Sequence, residues 1–452
     1  MDFKDKKVLV SGMAKSGIAA AELLNSMGAR VILQDTKTEA ELSNITGKLR
    51  EKGIELYLGG NPDDIAVNMD LIVMSPGVPC DLPFVKEARA KGVRVIGEME
   101  LGYRLCKAPL IAITGTNGKT TTTSLVGEIC RLYNEKTAVV GNIGNPLTAC
   151  VNELTEDSMV VAELSSFQLE TIEEFKPVVS AVLNITPDHL NRHKTLEGYI
   201  EAKERVFENQ TEADYCILNY NDCATRKMAE KTKARVVFFA YGNVLEEGIY
   251  SDGKSIYVNA FGINQRVIDV KELNILGAHN VENAMAAVGC CLGAGIPLDT
   301  IVRGLKEFKA VEHRIEFVKE VDGVVFYNDS KGTNPDASIK AVQAMERPIC
   351  LIAGGYDKGS DFDEWIATFK GKVKYVAVIG AVKEKLCATM DKAGFTAYER
   401  ADDFLQAIDL CFANAKAGDC VLLSPACASW DMFKSYEQRG EIFKDYVCKL
   451  GG

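Results

Sequence analysis

Short apolar runs alternate with longer amphipathic stretches along nearly the whole chain. In the first block, strands are predicted at Val8–Val10, Val31–Leu33, Leu71–Met74 and Arg94–Ile96, and helices at about Ser16–Met27 and Leu82–Lys91. Strands separated by helices usually pair in parallel, because a parallel pair needs a long crossover connection. The pattern therefore predicts an α/β protein with mainly parallel sheets.

The same alternation continues through two further blocks. The second block contains predicted strands at Leu110–Ile113, Ala138–Val140, Met159–Glu163, Val178–Leu183, Tyr215–Leu218 and Val236–Phe239, a hairpin at Gly248–Gly262, and helices at about Asn280–Ala294 and Leu298–Phe308. The third block contains a hairpin turned at Asp322-Gly323 and strands at Ile349–Ala353, Val376–Ile379 and Cys420–Leu423. We therefore predict three domains, at residues 1–97, 98–310 and 311–452.

Composition narrows the function classes. The chain of 452 residues has 52 basic and 63 acidic residues and a net charge of −11, which argues against binding to nucleic acid. Its 14 cysteines are scattered without a C-x-x-C pattern, as expected for buried thiols in a reducing compartment. No apolar run approaches 18 residues and no signal-peptide core follows the start, so we expect a cytoplasmic protein without a membrane span.

The most informative segment is Pro109–Thr123, where an apolar run leads into Gly115-Thr116-Asn117-Gly118-Lys119-Thr120 and then a predicted helix from about Thr121 to Tyr133. Glycines in such a turn let backbone N–H groups approach phosphates, and the helix N-terminus adds positive potential. The lysine reaches terminal phosphates and the threonine hydroxyl reaches Mg²⁺. The turn is shorter than the usual G-x-x-x-x-G-K-[ST], but we interpret it as a nucleotide phosphate site rather than a generic strand-to-helix turn with a surface lysine, because strand, turn, Lys-Thr pair and helix agree.

A second glycine-containing turn, Ser11–Gly17, follows the first strand and begins a helix. It lacks the full G-x-G-x-x-G pattern of a dinucleotide site, because Ala14 stands where the second glycine would be. Asp35 ends the next strand, where a carboxylate would meet a ribose. The residues leave three interpretations: an NAD site, a site for the nucleoside diphosphate of a substrate, or a plain structural turn.

Two polar clusters follow predicted strands of the second block. Glu163 ends one strand, and His189 lies in the segment after another. Ligands gather at the carboxyl ends of parallel strands, so Thr120, Glu163 and His189 are expected to converge. A carboxylate, a hydroxyl and an imidazole beside polyphosphate predict a Mg²⁺ site, although His189 alone would be interpreted as a hydrogen-bonded loop histidine.

Other candidates stay ambiguous from the residues alone. Lys203 lies on a predicted helix and would be a solvent-facing lysine. Asn280 and Asn283 are one turn apart at a helix start, where asparagines either cap the helix or contact a nucleobase and ribose.

The motifs taken together resemble those of the Mur ligases, ATP-dependent enzymes that form amide bonds in peptidoglycan synthesis. The resemblance rests on the phosphate turn, Gly141–Gly144, Glu163–Gln168, Asn184–His189, Gly277–Asn283, Glu312–Arg314 and Asn328–Asn334, which occur in this order. Gly354–Gly359 and Leu423–Gly440 are most similar to the members that add D-glutamate. The resemblance covers essentially the full chain. It implies a Rossmann-like N-terminal domain, a central P-loop-type ATPase domain and a Rossmann-like C-terminal domain.

The resemblance also implies roles for individual residues around ATP and Mg²⁺. Lys119, Glu163, His189 and Lys203 would be catalytic. ATP would be bound by Gly115, Thr116, Asn117, Gly118, Lys119, Thr120, Thr121, Asn280, Asn283, Arg314, Asp329 and Lys331. Mg²⁺ would be bound by Thr120, Glu163, His189 and Lys203, the last as a carbamate, which converts the cationic side chain into an anionic ligand.

The remaining roles concern the two other substrates, UDP-N-acetylmuramoyl-L-alanine and D-glutamate. The UDP-sugar would be bound by Lys15, Ser16, Asp35, Thr36, Lys37, Ser75, Gly77, Asn142 and Ser165. D-Glutamate would be bound by Thr333, Lys358, Ser429 and Tyr436, a set with a cation and hydroxyl donors for two carboxylates. The third domain is expected to move during the reaction.

Two other functions remain open from the sequence. One is a folylpolyglutamate-type ligase, against which the separate N-terminal nucleotide-like block argues. The other is a non-catalytic ATP-dependent switch, against which the co-occurrence of Lys119, Glu163, His189 and Lys203 argues.

Overall fold

The computed structural model describes residues 2–309 and 311–451. Its first sheet has five parallel strands in the order β3-β2-β1-β4-β5. The strands are β1 (Lys7–Ser11), β2 (Arg30–Asp35), β3 (Glu55–Leu58), β4 (Leu71–Met74) and β5 (Arg94–Gly97). The helices are α1 (Lys15–Ser26), α2 (Ser43–Glu51), α3 (Pro83–Ala90) and α4 (Glu98–Leu105). This strand order, with helical crossovers, is that of a Rossmann-like sheet.

The second sheet has nine strands in the order β14-β13-β12-β11-β10-β9-β6-β8-β7. The strands are β6 (Leu110–Thr114), β7 (Thr137–Gly141), β8 (Met159–Glu163), β9 (Val179–Val182), β10 (Tyr215–Asn219), β11 (Arg235–Tyr241), β12 (Gly248–Ser251), β13 (Ser255–Ala260) and β14 (Ile263–Asp269). The helices are α5 (Lys119–Tyr133), α6 (Leu147–Cys150), α7 (Ser166–Leu169), α8 (Leu190–His193), α9 (Leu196–Glu204), α10 (Cys223–Met228), α11 (Ala278–Gly293) and α12 (Leu298–Glu307). Strands β7 to β12 pair in parallel, and the predicted hairpin joins β12 to β13.

The third sheet has six strands in the order β15-β16-β20-β17-β18-β19 and is parallel except at β15. The strands are β15 (Glu316–Val321), β16 (Val324–Asn328), β17 (Ile349–Gly354), β18 (Val373–Ile379), β19 (Tyr398–Arg400) and β20 (Cys420–Leu423). The helices are α13 (Pro335–Ala344), α14 (Asp363–Ala367), α15 (Lys383–Lys392), α16 (Phe404–Asn414) and α17 (Tyr436–Lys449).

The chain forms two compact units. Unit 1 comprises residues 1–268 and 283–305, and unit 2 comprises residues 269–282 and 306–452. The first two sheets belong to unit 1, apart from the last residue of β14, and the third sheet belongs to unit 2. The predicted division into domains at 97/98 and 310/311 stays a prediction, and residue 310 lies outside the described residues.

Most predicted strands are confirmed to within one or two residues, because their buried apolar runs are short and flanked by turns. The hairpin turn at Asp322-Gly323 is confirmed too, and both residues have positive φ, as a two-residue turn of this type requires. The prediction omitted several elements, among them α2, α4, β3, β14 and β19. Among the described residues, no helix is long and apolar enough to cross a membrane.

Candidate active site

The sheet order of unit 1 gathers the predicted phosphate and metal residues at one edge. Strands β9, β6, β8 and β7 are consecutive parallel neighbours, so their carboxyl ends lie side by side. The loops leaving those ends begin at Leu183, Gly115, Leu164 and Asn142. The four predicted motifs are therefore brought together by strand pairing rather than by closeness in the sequence.

The phosphate loop between β6 and α5 has the geometry of an anion cradle. Gly118 adopts a left-handed conformation with φ of 84° and immediately precedes the helix, which has no side-chain cap. A Cβ at this position would lie 2.3 Å from Oδ1 of Asn283, so only glycine fits. The first turn of α5 has no side-chain cap, and its backbone N–H groups can donate hydrogen bonds to a phosphate.

Lys119 curls back over this loop. Its Nζ donates to the carbonyl oxygens of Gly115 at 2.9 Å and Thr116 at 2.8 Å. The next residues, Thr120 and Thr121, are buried at the start of α5. The ammonium is thus already held over the turn that would contain the phosphates.

A second layer of residues fixes the loop. The Asn117 N–H donates to Oδ1 of Asn184 at 2.8 Å, and the Asn184 side-chain amide donates to the Asn117 carbonyl at 3.1 Å. Thr116 Oγ1 lies 3.2 Å from the Tyr199 hydroxyl. Burial raises the pKa of Tyr199 to about 12, so this phenol stays protonated at neutral pH. The loop conformation is therefore determined before any ligand binds.

Lys203 is buried, so its interpretation from the residues alone as a solvent-facing lysine is wrong. Its side chain is 1% exposed at the end of α9, and Nζ donates to the Gly115 carbonyl at 2.8 Å and to Thr114 Oγ1 at 3.3 Å. Its ammonium also lies 4.7 Å from the centre of the Tyr199 ring. Burial, reinforced by the charge of Lys119, lowers the pKa of Lys203 well below its usual value. The physical consequence is a lysine that gives up its proton readily.

Glu163, at the carboxyl end of β8, is 1% exposed. Its Oε1 accepts a hydrogen bond of 2.7 Å from the Asn142 side-chain amide. Its Oε2 is buried and has no hydrogen-bond partner among the described residues. A buried carboxylate oxygen without a donor costs free energy unless a cation or donor arrives. Together with the Thr120 hydroxyl, this oxygen is the kind of hard ligand that Mg²⁺ prefers, so the residues fit the metal.

His189 precedes α8 and has a strained left-handed backbone, with φ of 53°. Its ring packs at 4.9 Å from the ring of Phe167, and Nε2 lies 3.7 Å from Oδ2 of Asp188. Non-glycine residues in this region often lie at functional sites. The structure therefore places His189 on a constrained turn next to the segment that follows Glu163.

The residues after His189 connect three loops of unit 1. His193 Nε2 lies 2.9 Å from Ser166 Oγ, the residue after the predicted sugar ligand Ser165. Arg192 pairs with Glu170 at 2.5 Å and donates to the Val78 carbonyl at 3.2 Å. The histidine segment is thereby joined to α7 and to the loop after β4.

Seven of the predicted UDP-sugar residues lie at the carboxyl ends of β1, β2 and β4, which are neighbours in the first sheet, whereas Asn142 and Ser165 follow β7 and β8 of the second sheet. The Met13 N–H donates to Oδ2 of Asp35 at 2.8 Å, and Ser75 Oγ donates to the Gly12 carbonyl at 3.0 Å. Lys15, Thr36, Lys37 and Gly77 are exposed there, and Ser16 is half-buried. The three loops thus share an accessible edge with cationic side chains, suited to a diphosphate.

In unit 2, the sheet order also gathers the predicted residues. Strands β16, β20 and β17 are parallel neighbours, so the loops that carry Asp329 to Thr333, Ser429 and Lys358 leave the same edge. Burial raises the pKa of Asp329 to about 7, although Ser424 Oγ donates to it at 2.7 Å. The Lys331 ammonium lies 5.2 Å from the centre of the Tyr436 ring. Arg314, just before β15, lies beside Asp329, whose carboxyl its charge influences.

The two asparagines of α11 differ in surroundings. Asn283, in unit 1, accepts a hydrogen bond of 3.2 Å from Thr122 Oγ1 behind the phosphate loop. Asn280, in unit 2, donates to the Leu276 carbonyl at 2.8 Å. Asn280 lies inside the helix, which begins at Ala278, so neither asparagine is the residue that precedes it.

Sequence reasoning missed several residues of these sites. Tyr199 is four residues before Lys203 on α9, so the i, i+4 spacing places both on one helix face. Arg439 is fully buried; its guanidinium donates to Ser330 Oγ at 2.9 Å and to the Cys427 carbonyl at 3.3 Å. Burial lowers the pKa of Arg439 to about 10. No periodic signal identifies such an arginine, because its partners are backbone and hydroxyl groups of distant loops.

Comparison with known families agrees with this geometry. A model of the Mur ligase middle domain matches residues 113–291, a model of the MurD-like N-terminal domain matches 6–97, and a model of the Mur ligase glutamate ligase domain matches 313–427. The chain belongs to the Mur ligase family, and it is therefore a ligase.

Curated relatives match from end to end. The chain is 51% identical over 450 residues to the UDP-N-acetylmuramoylalanine--D-glutamate ligase of Lachnospira eligens, with 100% of both chains covered. It is 50% identical over 456 residues to the ligase of the same name from a Thermoanaerobacter species, again with 100% of both chains covered.

Solved structures share the fold at lower identity. UDP-N-acetylmuramate-alanine ligase MurC from Thermotoga maritima has a TM-score of 0.61 at 19% identity, covering 98% of this chain and 99% of its own. MurF from Acinetobacter baumannii has a TM-score of 0.62 at 17% identity, covering 98% of this chain and 94% of its own. These likenesses and the three mainly parallel sheets confirm the predicted fold class.

Proposed function

We propose that this ligase joins D-glutamate to UDP-N-acetylmuramoyl-L-alanine, with conversion of ATP to ADP and phosphate, during cytoplasmic synthesis of peptidoglycan precursors. The observation that carries the proposal is the end-to-end identity of 51% to a ligase named for these two substrates. The preformed phosphate loop and the buried carboxylate of Glu163 support it, because a ligase must activate a carboxylate with ATP.

ATP is assigned to the loop from Gly115 to Thr121. The N–H groups at the start of α5 and the Lys119 ammonium would bind the terminal phosphates. Mg²⁺ is assigned to the Thr120 hydroxyl, Glu163 and His189. When bound there, the ion would offset negative charge on the transferring phosphoryl group.

The first chemical step attaches phosphate to the substrate carboxylate. An oxygen of the alanine carboxylate attacks the γ-phosphorus of ATP, the bond to the β–γ bridging oxygen breaks, and ADP leaves. The product is an acyl phosphate, a far better electrophile than a carboxylate. Lys119 would stabilise the charge that develops on the γ-phosphoryl oxygens.

Lys203 is assigned to a carbamate. Burial and the charge of Lys119 lower the pKa of Lys203, which favours loss of the ammonium proton, and the lone pair of the amine then attacks the carbon of CO₂. A new N–C bond forms as one C=O π bond of CO₂ breaks, its electron pair goes to oxygen, and the nitrogen loses a proton to water, which yields an anionic carbamate. The carbamate would place negative charge beside Lys119 and Glu163, where the unmodified side chain has an unstable positive charge.

The second step forms the amide. The D-glutamate amine, in its neutral form, attacks the acyl carbon, and the tetrahedral intermediate collapses with loss of phosphate. The amino acid is assigned to Thr333, Lys358, Ser429 and Tyr436 of unit 2. A cation and hydroxyl donors are the groups that two carboxylates need.

The test is phosphate release from ATP with Mg²⁺, bicarbonate and UDP-N-acetylmuramoyl-L-alanine, with D-glutamate, L-glutamate, lysine or diaminopimelate as the amino acid. We expect turnover that needs both the UDP-sugar and D-glutamate. Turnover with another amino acid only would retain the ligase chemistry and reject the assigned substrate. Absence of turnover in folded protein with every amino acid would contradict the proposed function.

A further inference from the structure

Unit 2 exposes two large aromatic side chains side by side. Tyr356, after β17, is 44% exposed, and Trp430, after β20, is 64% exposed. Their ring centres are 5.8 Å apart at an angle of 51°. We call this pair the aromatic platform. An exposed tryptophan is a large apolar surface left in contact with water, and adjacent aromatic residues of this kind often mark binding sites.

The backbone under the platform is held firmly. The Tyr356 N–H donates to the Ala428 carbonyl at 2.9 Å, and the Gly354 N–H donates to the Pro425 carbonyl at 2.9 Å. The carboxylate of Asp431, next to Trp430, accepts a 2.8 Å hydrogen bond from the Ala381 N–H. The two loops are therefore joined to each other and to the end of β18, so the exposed rings have a fixed support.

The platform also holds a cation. The Lys358 ammonium lies 5.2 Å from the centre of the Trp430 ring, within the range of a cation–π interaction. Ser429, the residue before Trp430, is 1% exposed. Lys358 and Ser429 are two of the four residues assigned to the amino-acid substrate, so the platform is adjacent to that assigned site in both sequence and space.

We propose that Trp430 is a positioning residue for the amino-acid substrate: its ring holds the Lys358 ammonium in place for a carboxylate, and its exposed face receives the methylene groups between the two carboxylates. This inference rests on the proposed function. A free lysine side chain samples many rotamers, and restricting it before binding reduces the entropy lost on binding. A dicarboxylate with an apolar middle matches a cation beside an aromatic face.

Tryptophan fluorescence provides a direct test, because the chain has two tryptophans. Trp365 is 1% exposed, between Phe362 and Phe369, and serves as the buried control. Full-length Trp365→Phe protein reports on Trp430 alone, and Trp430→Phe protein reports on Trp365 alone. If Trp365→Phe does not fold, wild type minus Trp430→Phe gives the same signal.

The measurement is acrylamide quenching during titration with D-glutamate, in the presence of Mg²⁺, UDP-N-acetylmuramoyl-L-alanine and a non-hydrolysable ATP analogue. We expect D-glutamate to protect the Trp430 emission from quenching and to leave the Trp365 emission unchanged. L-Glutamate is the matched control and should protect neither. Unchanged Trp430 quenching in protein that turns over D-glutamate would overturn this inference and leave the proposed function standing. Wild-type protein that turns over no D-glutamate would instead contradict the proposed function.

Kinetics separates positioning from a structural role. For Trp430→Leu we expect the KM for D-glutamate to rise about three- to tenfold, while kcat and the KM for ATP stay as in wild type. Trp430→Phe keeps an aromatic face, so its KM for D-glutamate should be close to that of the wild type. A uniform loss of kcat in Trp430→Leu, or an unchanged KM for D-glutamate, would contradict the inference.

Discussion

The phosphate loop of unit 1 and the aromatic platform of unit 2 each hold a lysine, but in opposite surroundings. Lys203 is 1% exposed and donates to the Gly115 carbonyl, whereas Lys358 is exposed and rests against Trp430. Burial penalises the charge of the first, and water screens the charge of the second. This difference agrees with the proposed division of roles, in which the chemistry is assigned to unit 1 and recognition of the amino acid to exposed residues of unit 2.

The buried site of unit 1 lowers the stability of the folded chain. Two ammonium groups, those of Lys119 and Lys203, donate to the same carbonyl oxygen of Gly115. Glu163 presents a buried oxygen without a partner among the described residues. Unfavourable arrangements of this kind persist at functional sites, where a ligand offsets them.

The largest effect is expected at Lys203. Lys203→Arg keeps a positive charge but cannot form a carbamate, and Lys203→Met removes the charge and keeps the length. If the site needs an anionic carbamate, both should lower kcat by about 10²–10³-fold, comparable to loss of a key electrostatic group. The measurement is ADP release at saturating substrates, with circular dichroism as the control for folding. Near-normal activity of Lys203→Arg would contradict the carbamate assignment.

Asp329 tests whether unit 2 has a buried ionisable group as well as its exposed residues Lys358 and Trp430. Its pKa is raised from 3.8 to about 7 in the folded protein, so between these values the folded state binds a proton that the unfolded state lacks. Stability should therefore fall as pH rises from about 4 to 7. Asp329→Asn should remove about 2–4 kcal/mol of that pH dependence. The measurement is urea unfolding at pH 5 and pH 8, followed by Trp365 emission. Equal pH dependence of stability in wild type and Asp329→Asn would contradict the raised pKa of a buried Asp329.

Lys358→Met should affect recognition without affecting the chemistry. Loss of one charged hydrogen bond to a substrate carboxylate should raise the KM for D-glutamate about 10–100-fold. The KM for ATP should remain constant. Lys385→Met is the matched control, because Lys385 is a neighbouring lysine that pairs at 3.1 Å with Asp357. Equal effects of the two variants would show that charge in this region, rather than Lys358 itself, matters.

The smallest effect is expected at Lys15, whose Nζ lies 3.4 Å from the Gly144 carbonyl on the exposed edge of unit 1. An exposed ammonium contributes little per contact, so Lys15→Ala should raise the KM for the UDP-sugar about two- to fivefold. The effect should shrink as salt increases. Lys6→Ala, which removes an exposed lysine paired with Asp70, is the control and should leave that KM unchanged.

The sequence by itself determined the elements and the local chemistry. Buried apolar runs such as Leu110–Thr114 and Met159–Glu163 specify their own strands, and Gly118-Lys119-Thr120 specifies a phosphate turn, since both depend on neighbouring residues. The resemblance to a family added the roles of distant residues, which remain to be tested.

Only the tertiary structure decided which side chains are buried and which partners they have. From the residues alone Lys203 is interpreted as a solvent-facing lysine, yet its side chain at the end of α9 is buried and donates to the carbonyl of Gly115. Arg439 and Trp430 lie in Leu423–Gly440, a segment that carries the resemblance, but the sequence predicted no role for either. The buried partners of Arg439 and the exposure of Trp430 are visible only in the folded chain. Burial and long-range partners arise from the pairing of strands far apart in the chain, and those same partners determine the pKa of Lys203 and Asp329.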